Sequence, residues 1–151
     1  MALRLQRLNE VKGLLIAGEG GIGLSDQRVA RPLEGAPLER VYDGLVKLAR
    51  KRKVRLSDTK PLPQRISEIL GVEPKGLCFK LRGKDYIWIH HDLPLEKKTF
   101  VLAHELGHFM LHNECECEIL YDSEYFTKVE SEADTFAEKL IAMISLHLLR
   151  R

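Results

Sequence analysis

The sequence predicts an α+β domain in which helices, two of them long, pack on a short antiparallel sheet. Three observations lead there. Residues 77–82 and 85–90 are two β-rich runs either side of Gly83-Lys84, a hairpin signal. Glu96 to Leu111 is long and apolar at helical spacing, through Phe100, Leu102, Ala103, Leu106, Phe109 and Met110. Val129 to Leu149 is a second such stretch, through Ala133, Phe136, Ala137, Leu140 and Ile141.

The remaining elements follow in order. Residues 3–16 place Leu8, Val11 and Leu15 at helical spacing, which suits a short helix or a helix followed by a strand. Gly18, Gly20, Gly21 and Gly23, then Pro32, Gly35 and Pro37, break regular structure. Residues 1–37 are therefore expected to be an N-terminal extension or linker, with the folded domain over 38–151. Leu38 to Arg52 carries Val41, Leu45 and Leu48 on one face, the pattern of an amphipathic helix. Val54 and Leu56 flank Arg55 as in a short strand. Ile66 to Leu70, closed by Gly71, suits a short helix. Asp92 and Pro94 supply a start for the first long helix.

Composition narrows the function classes. Hydrophobic residues make up 44% of the 151 and charged residues 30%, enough for a core and too apolar for a disordered chain. Lys plus Arg is 24 and Asp plus Glu is 22, a net +2, which gives no whole-chain argument for nucleic-acid binding. No apolar run approaches the ~20 residues of a membrane span, and the N-terminus lacks a signal-peptide pattern. Three cysteines, Cys78, Cys115 and Cys117, imply no disulfide framework, so a reducing cytoplasm is the expected compartment.

His104-Glu105-Leu106-Gly107-His108 carries the chemistry. It is an H-E-x-x-H pattern on a predicted helix. Residues four apart share a helix face, so both histidines can reach one Zn²⁺ at about 2.0–2.1 Å. Glu105 sits beside that face, where it can meet an activated water and take its proton but not the metal itself. With six histidines in the chain, chance alone gives the pattern in roughly two chains per hundred.

A third protein ligand is needed. His112 continues the series, but eight residues of helix rise about 12 Å, too far for one ion. The longer metzincin motif is absent, because Met110 and Asn113-Glu114 occupy its later positions. Glu130-Ser131-Glu132-Ala133-Asp134 in the next helix is the better source. Glu130 and Asp134 share a face, so Glu130 can bind zinc while Asp134 accepts a hydrogen bond from a ligand histidine. Glu132 points about 200° away from Glu130. One of the two glutamates is the ligand, and the pairing with Asp134 favours Glu130.

The stretch Phe100 to His112, followed by Glu130-x-Glu-Ala-Asp-x-Phe-Ala137, resembles the ImmA/IrrE family of metallo-endopeptidases. The hairpin over 76–90 and the helix near 38–52 also fit, so the resemblance covers about residues 38–143. It implies zinc held by His104, His108 and Glu130, with Glu105 as base and a metal site between the two long helices. It also implies site-specific cleavage of a helix-turn-helix repressor. The rival reading is a non-hydrolytic zinc-fold module that acts by binding a partner.

Other features have simpler explanations. Gly18-x-Gly-x-x-Gly23 matches a dinucleotide fingerprint but lacks the following helix and second strand. Cys115-x-Cys117 is spaced too closely for a zinc knuckle. Tyr121 and Tyr125 lie where an oxyanion could be stabilised, with no spacing rule to choose between them. Lys47, Arg50, Lys51, Arg52, Lys53 and Arg55 form a basic run suited to a solvated helix end or to docking an acidic partner.

Overall fold

A computed structural model describes residues 31–62, 64, 68, 74–111 and 123–150, without the side chains of 81 and 123–127. The expected elements within 1–30, His112, the Cys115-x-Cys117 pair and Tyr121 lie outside that set. So does the Tyr125 side chain. Of the expected helix over 66–70 only Glu68 is described, and it is helical.

The first helix, α1, spans Leu38–Lys51 and buries Val41, Tyr42, Leu45 and Ala49, one stripe at helical spacing. Glu39 in its first turn and Arg50 and Lys51 in its last complement the helix dipole. Lys53, at φ 60°, takes the left-handed position that ends the helix. The Val54 N–H then donates to the Ala49 carbonyl at 2.9 Å.

The chain turns at once into β1 (Arg55–Ser57). Strands β2 (Gly76–Leu81) and β3 (Lys84–Ile89) form the expected hairpin, with Leu81 opposite Lys84. The turn residues are Arg82 and Gly83, not Gly83 and Lys84. Both have positive φ, 51° and 75°, as the tight hairpin turn demands.

The α+β class stands, but the three-stranded sheet is mixed, in the order β1-β3-β2. The hairpin is antiparallel, while β1 runs parallel to β3 with Leu56 opposite Ile87. Parallel neighbours need a long connection, and here the chain from Asp58 through β2 supplies it.

The two long helices are α2 (Leu95–Leu111) and α3 (Ser123–Leu149). The second begins six residues before the expected Val129. Cys78, Ile87 and Ile89 on one sheet face join Leu45, Leu102, Leu106, Ala137 and Ile141 in the main core. Leu77 and Trp88 on the other face pack with Leu62, and the Trp88 indole donates to the Lys60 carbonyl at 2.9 Å. No helix among the described residues is long and apolar enough to cross a membrane.

Candidate metal centre

The site lies where α2 and α3 pack tightly at Gly107 and Ala133. Gly107 sets that distance: a β-carbon there would stand 3.1 Å from Phe136 Cδ1 and 3.2 Å from the Ala133 Cα and carbonyl oxygen. Any larger residue would push against backbone, which cannot swing aside. Ala133 answers from α3 with a fully buried methyl. The two small residues bring Glu130, three positions before Ala133, level with the histidines of α2.

Glu130 spans both rings. Its Oε1 lies 2.8 Å from His108 Nε2 and its Oε2 lies 3.1 Å from His104 Nε2. The two Nε2 atoms are 3.0 Å apart, with the rings nearly perpendicular at 84°. His104 Nδ1 is 2.7 Å from Asp134 Oδ1. The Nδ1–H therefore donates to Asp134, and a neutral His104 is left with a lone pair on Nε2. Glu132 faces solvent with its carboxylate 3.9 Å from Lys128 Nζ and takes no part in the group.

Burial and charge set the protonation. Burial opposes a charge on His104, but the bonds to Asp134 and Glu130 outweigh it and raise the group to about 10. Burial would also raise Glu130, yet the two histidines hold it well below the usual carboxylate range. Burial pushes the Glu105 carboxyl up, partly opposed by His108 and His104. The Cys78 backbone N–H donates to that carboxylate. Glu105 packs against β2 where Gly76 leaves room: a β-carbon at Gly76 would clash with Val101 Cγ1 and stand 3.2 Å from Glu105 Oε1.

Two imidazoles and a carboxylate aimed at one point form a donor set that fits a borderline divalent cation. Their spacings of 2.8–3.1 Å sit just inside the edge of a tetrahedral zinc shell, about 3.3 Å for bonds of about 2.0 Å. Without an ion, the arrangement needs a proton between groups that each point a lone pair inward. A second group, His90, His91 and Asp92, gathers donors just after β3. There the Asp92 N–H already donates to His90 Nδ1 at 3.1 Å, and His91 and Asp92 are exposed.

The sequence pointed to His104, Glu105, His108, Glu130 and Asp134, and the structure places all five together. It missed Gly107 and Gly76, whose lack of a side chain sets the spacing of the site. The signal for Gly107 was present as a small residue inside the motif, facing Ala133 in the second one.

A helix pair with this donor set fits a metal-dependent peptidase, and comparison with known proteins agrees. The profile of the peptidase family M78, described as the IrrE N-terminal-like domain, matches residues 47–146. The chain belongs to that family, the ImmA/IrrE family of metallopeptidases. An "uncharacterized immunity region protein 2" of Bacillus phage phi105 is 40% identical over 58 residues, 37% of each chain. The match thus spans little more than a third of that phage protein. No solved structure matches the chain.

Proposed function

We propose that the protein is a zinc-dependent endopeptidase that cuts a helix-turn-helix repressor at one or a few sites. The observation that carries this reading is the convergence of His104 Nε2, His108 Nε2 and the Glu130 carboxylate beside a buried Glu105. The peptidase domain is residues 38–151, with 1–37 as an extension to it.

The five residues divide the work. His104, His108 and Glu130 would hold the zinc, and Asp134 keeps His104 in the tautomer that presents Nε2. When bound, zinc supplies Lewis-acid activation of a water and a peptide carbonyl. Glu105 serves as general base and then donor. Its raised carboxyl holds a proton more readily than a solvated glutamate, so it can pass that proton to the leaving amine. The Cys78 N–H and the wall at Gly76 fix its direction while this happens. The repressor substrate is supported by the family resemblance and by the phage relative, whose name assigns it to an immunity region.

The test is incubation of the purified chain with helix-turn-helix repressors, with and without a chelator. Discrete fragments are expected from the untreated protein and none after chelation. Glu105→Gln should keep its zinc and slow cleavage by about 10²–10⁴-fold, the usual contribution of a general base. A Gln variant that cuts at the unmodified rate would remove Glu105 from the mechanism.

A further inference from the structure

The far half of α3 forms a second surface. Beyond Ala137 it runs antiparallel to α1: Gly35 lies against Leu149, and Gly44 against Ile144. A β-carbon at Gly44 would stand 2.9 Å from Ile144 Cγ2, so the two helices touch there. Beside this contact a cavity of about 510 Å³ opens between α1 and α3. Leu48, Leu140, Met143, Ile144 and Leu148 supply its apolar lining. Met143 is 66% exposed, far more than an apolar residue next to a core helix needs to be. Leu140 is ten residues past Glu130, about 15 Å along the helix, so the groove is distinct from the metal centre.

Its rims carry an excess of positive charge. On α1, Arg40, Asp43 and Lys47 border the cavity, and exposed Lys51 continues the ridge one turn further. On α3, His147 borders it, and exposed Lys139 lies one turn before Met143. No ion pair among the described residues involves Arg40, Lys47, Lys51 or Lys139.

We propose that this groove docks an amphipathic helix of a partner protein, one whose apolar stripe is flanked by Asp or Glu. Charge selects this occupant. A second copy of the chain would bring the same cations face to face. The chain's own first sixteen residues carry Arg4, Arg7 and Lys12 against Glu10 alone, so they also add like charge. An acidic helix meets both ridges with opposite charge while its apolar stripe covers Met143 and Ile144. The cations then speed encounter and fix orientation, and apolar burial holds the complex. Docking of this kind is a binding property separate from the proposed peptidase activity. It can fail while the metal centre works, and it can hold if the chain proves inactive.

The test uses the full chain and two labelled helix-forming peptides of about 16 residues. Both carry the same leucine stripe; one has glutamate on its flanks and the other lysine. The glutamate peptide should bind at least about tenfold more tightly, a difference of about 1.4 kcal/mol. That advantage should shrink as salt rises from about 0.05 to 0.5 M. The combined variant Lys47→Glu, Lys51→Glu, Lys139→Glu should reverse the order. All three positions are exposed, and an unchanged melting curve would show that the fold is kept. Met143→Asp should weaken binding of the glutamate peptide. Equal binding of the two peptides, binding of neither, or a preference unmoved by charge reversal would overturn the proposal. So would a glutamate peptide that binds only after Leu8→Asp and Leu15→Asp, which would put the chain's own N-terminal stripe in the groove. A concentration-dependent dimer dispersed by Met143→Asp would overturn it in favour of a second copy.

Discussion

Around Ala133, α2 and α3 are so close that a methyl group on Gly107 would press on the Ala133 backbone at 3.2 Å, whereas around Met143 the same α3 leaves a cavity of about 510 Å³ against α1. The two regions also treat charge differently. In the tight region, His104, His108, Glu130 and Asp134 all hold one another, and no buried side-chain polar atom among the described residues lacks a partner. In the open region, cations border apolar surface with no ion pair among the described residues. The difference is one of scale. Groups held within about 3 Å in a low-dielectric interior have a fixed geometry and suit a single small cation. An apolar trough with separated charges on its rims has no such fixed point and suits something the size of a helix.

The largest expected effect falls on the tight region. Glu130→Ala removes the carboxylate that spans both Nε2 atoms and should abolish tight zinc binding. Glu132→Ala removes an exposed partner of Lys128 and should leave zinc content unchanged. Elemental analysis, followed by zinc rebinding to stripped protein, reads both. If Glu132→Ala lost the metal and Glu130→Ala kept it, α3 would have to be rotated so that Glu132 faces the histidines.

Asp134→Ala should come next. It leaves the three proposed ligands but frees the His104 ring to change tautomer. Loss of such a partner typically costs about 10–100-fold in metal affinity or activity. Competition with a chromogenic chelator measures it. An unchanged affinity would mean that packing against Phe100, 6.2 Å away centroid to centroid, is enough to orient the ring.

The tight region also predicts a pH dependence. In the metal-free protein His104 is held up to about 10, against 6.5 for an unperturbed histidine. A raised histidine contributes stability that is fully present below about 6.5 and lost as pH rises towards 10. The melting temperature of metal-free protein should therefore fall over that range. Zinc must displace this proton, so its stabilising increment should grow over the same range. A metal-free protein whose melting temperature is flat between pH 6.5 and 9 would contradict the His104–Asp134–Glu130 linkage.

The tight region was far more legible in the sequence than the open one, for physical reasons. His104 and His108 are four apart on one helix, so their shared face follows from the helical period alone. Glu130 was separable from Glu132 because Asp134 lies one turn after it and could serve the same histidine. By contrast, β1 is three residues long, and its parallel pairing with β3 depends on a connection that local pattern does not specify. The hairpin turn was misplaced by one residue because Arg82 adopts a positive φ usually associated with glycine. The groove needs Gly44 and Ile144 to meet across a hundred residues. No periodicity signals that contact, so Lys47 and Lys51 read as part of a basic run suited to a solvated helix end or to docking an acidic partner, with no groove beside them.

The smallest expected effect tests whether the open region is open. Ile141 and Met143 lie two residues apart on α3 and differ almost completely in environment, fully buried against 66% exposed. Ile141→Ala should destabilise by about 2–5 kcal/mol, the usual cost of emptying a core site. Met143→Gln keeps the length of a side chain that is already largely exposed. Its effect should stay within about 0.5 kcal/mol, as for surface substitutions away from special features. Urea titrations of the two variants beside the unmodified protein give both values if the slopes agree. A loss of more than about 1 kcal/mol from Met143→Gln would exceed that surface range and mean that something within the chain already covers the methionine. The contrast between the two ends of α3 would then be one between two filled sites, with no space left for a partner helix.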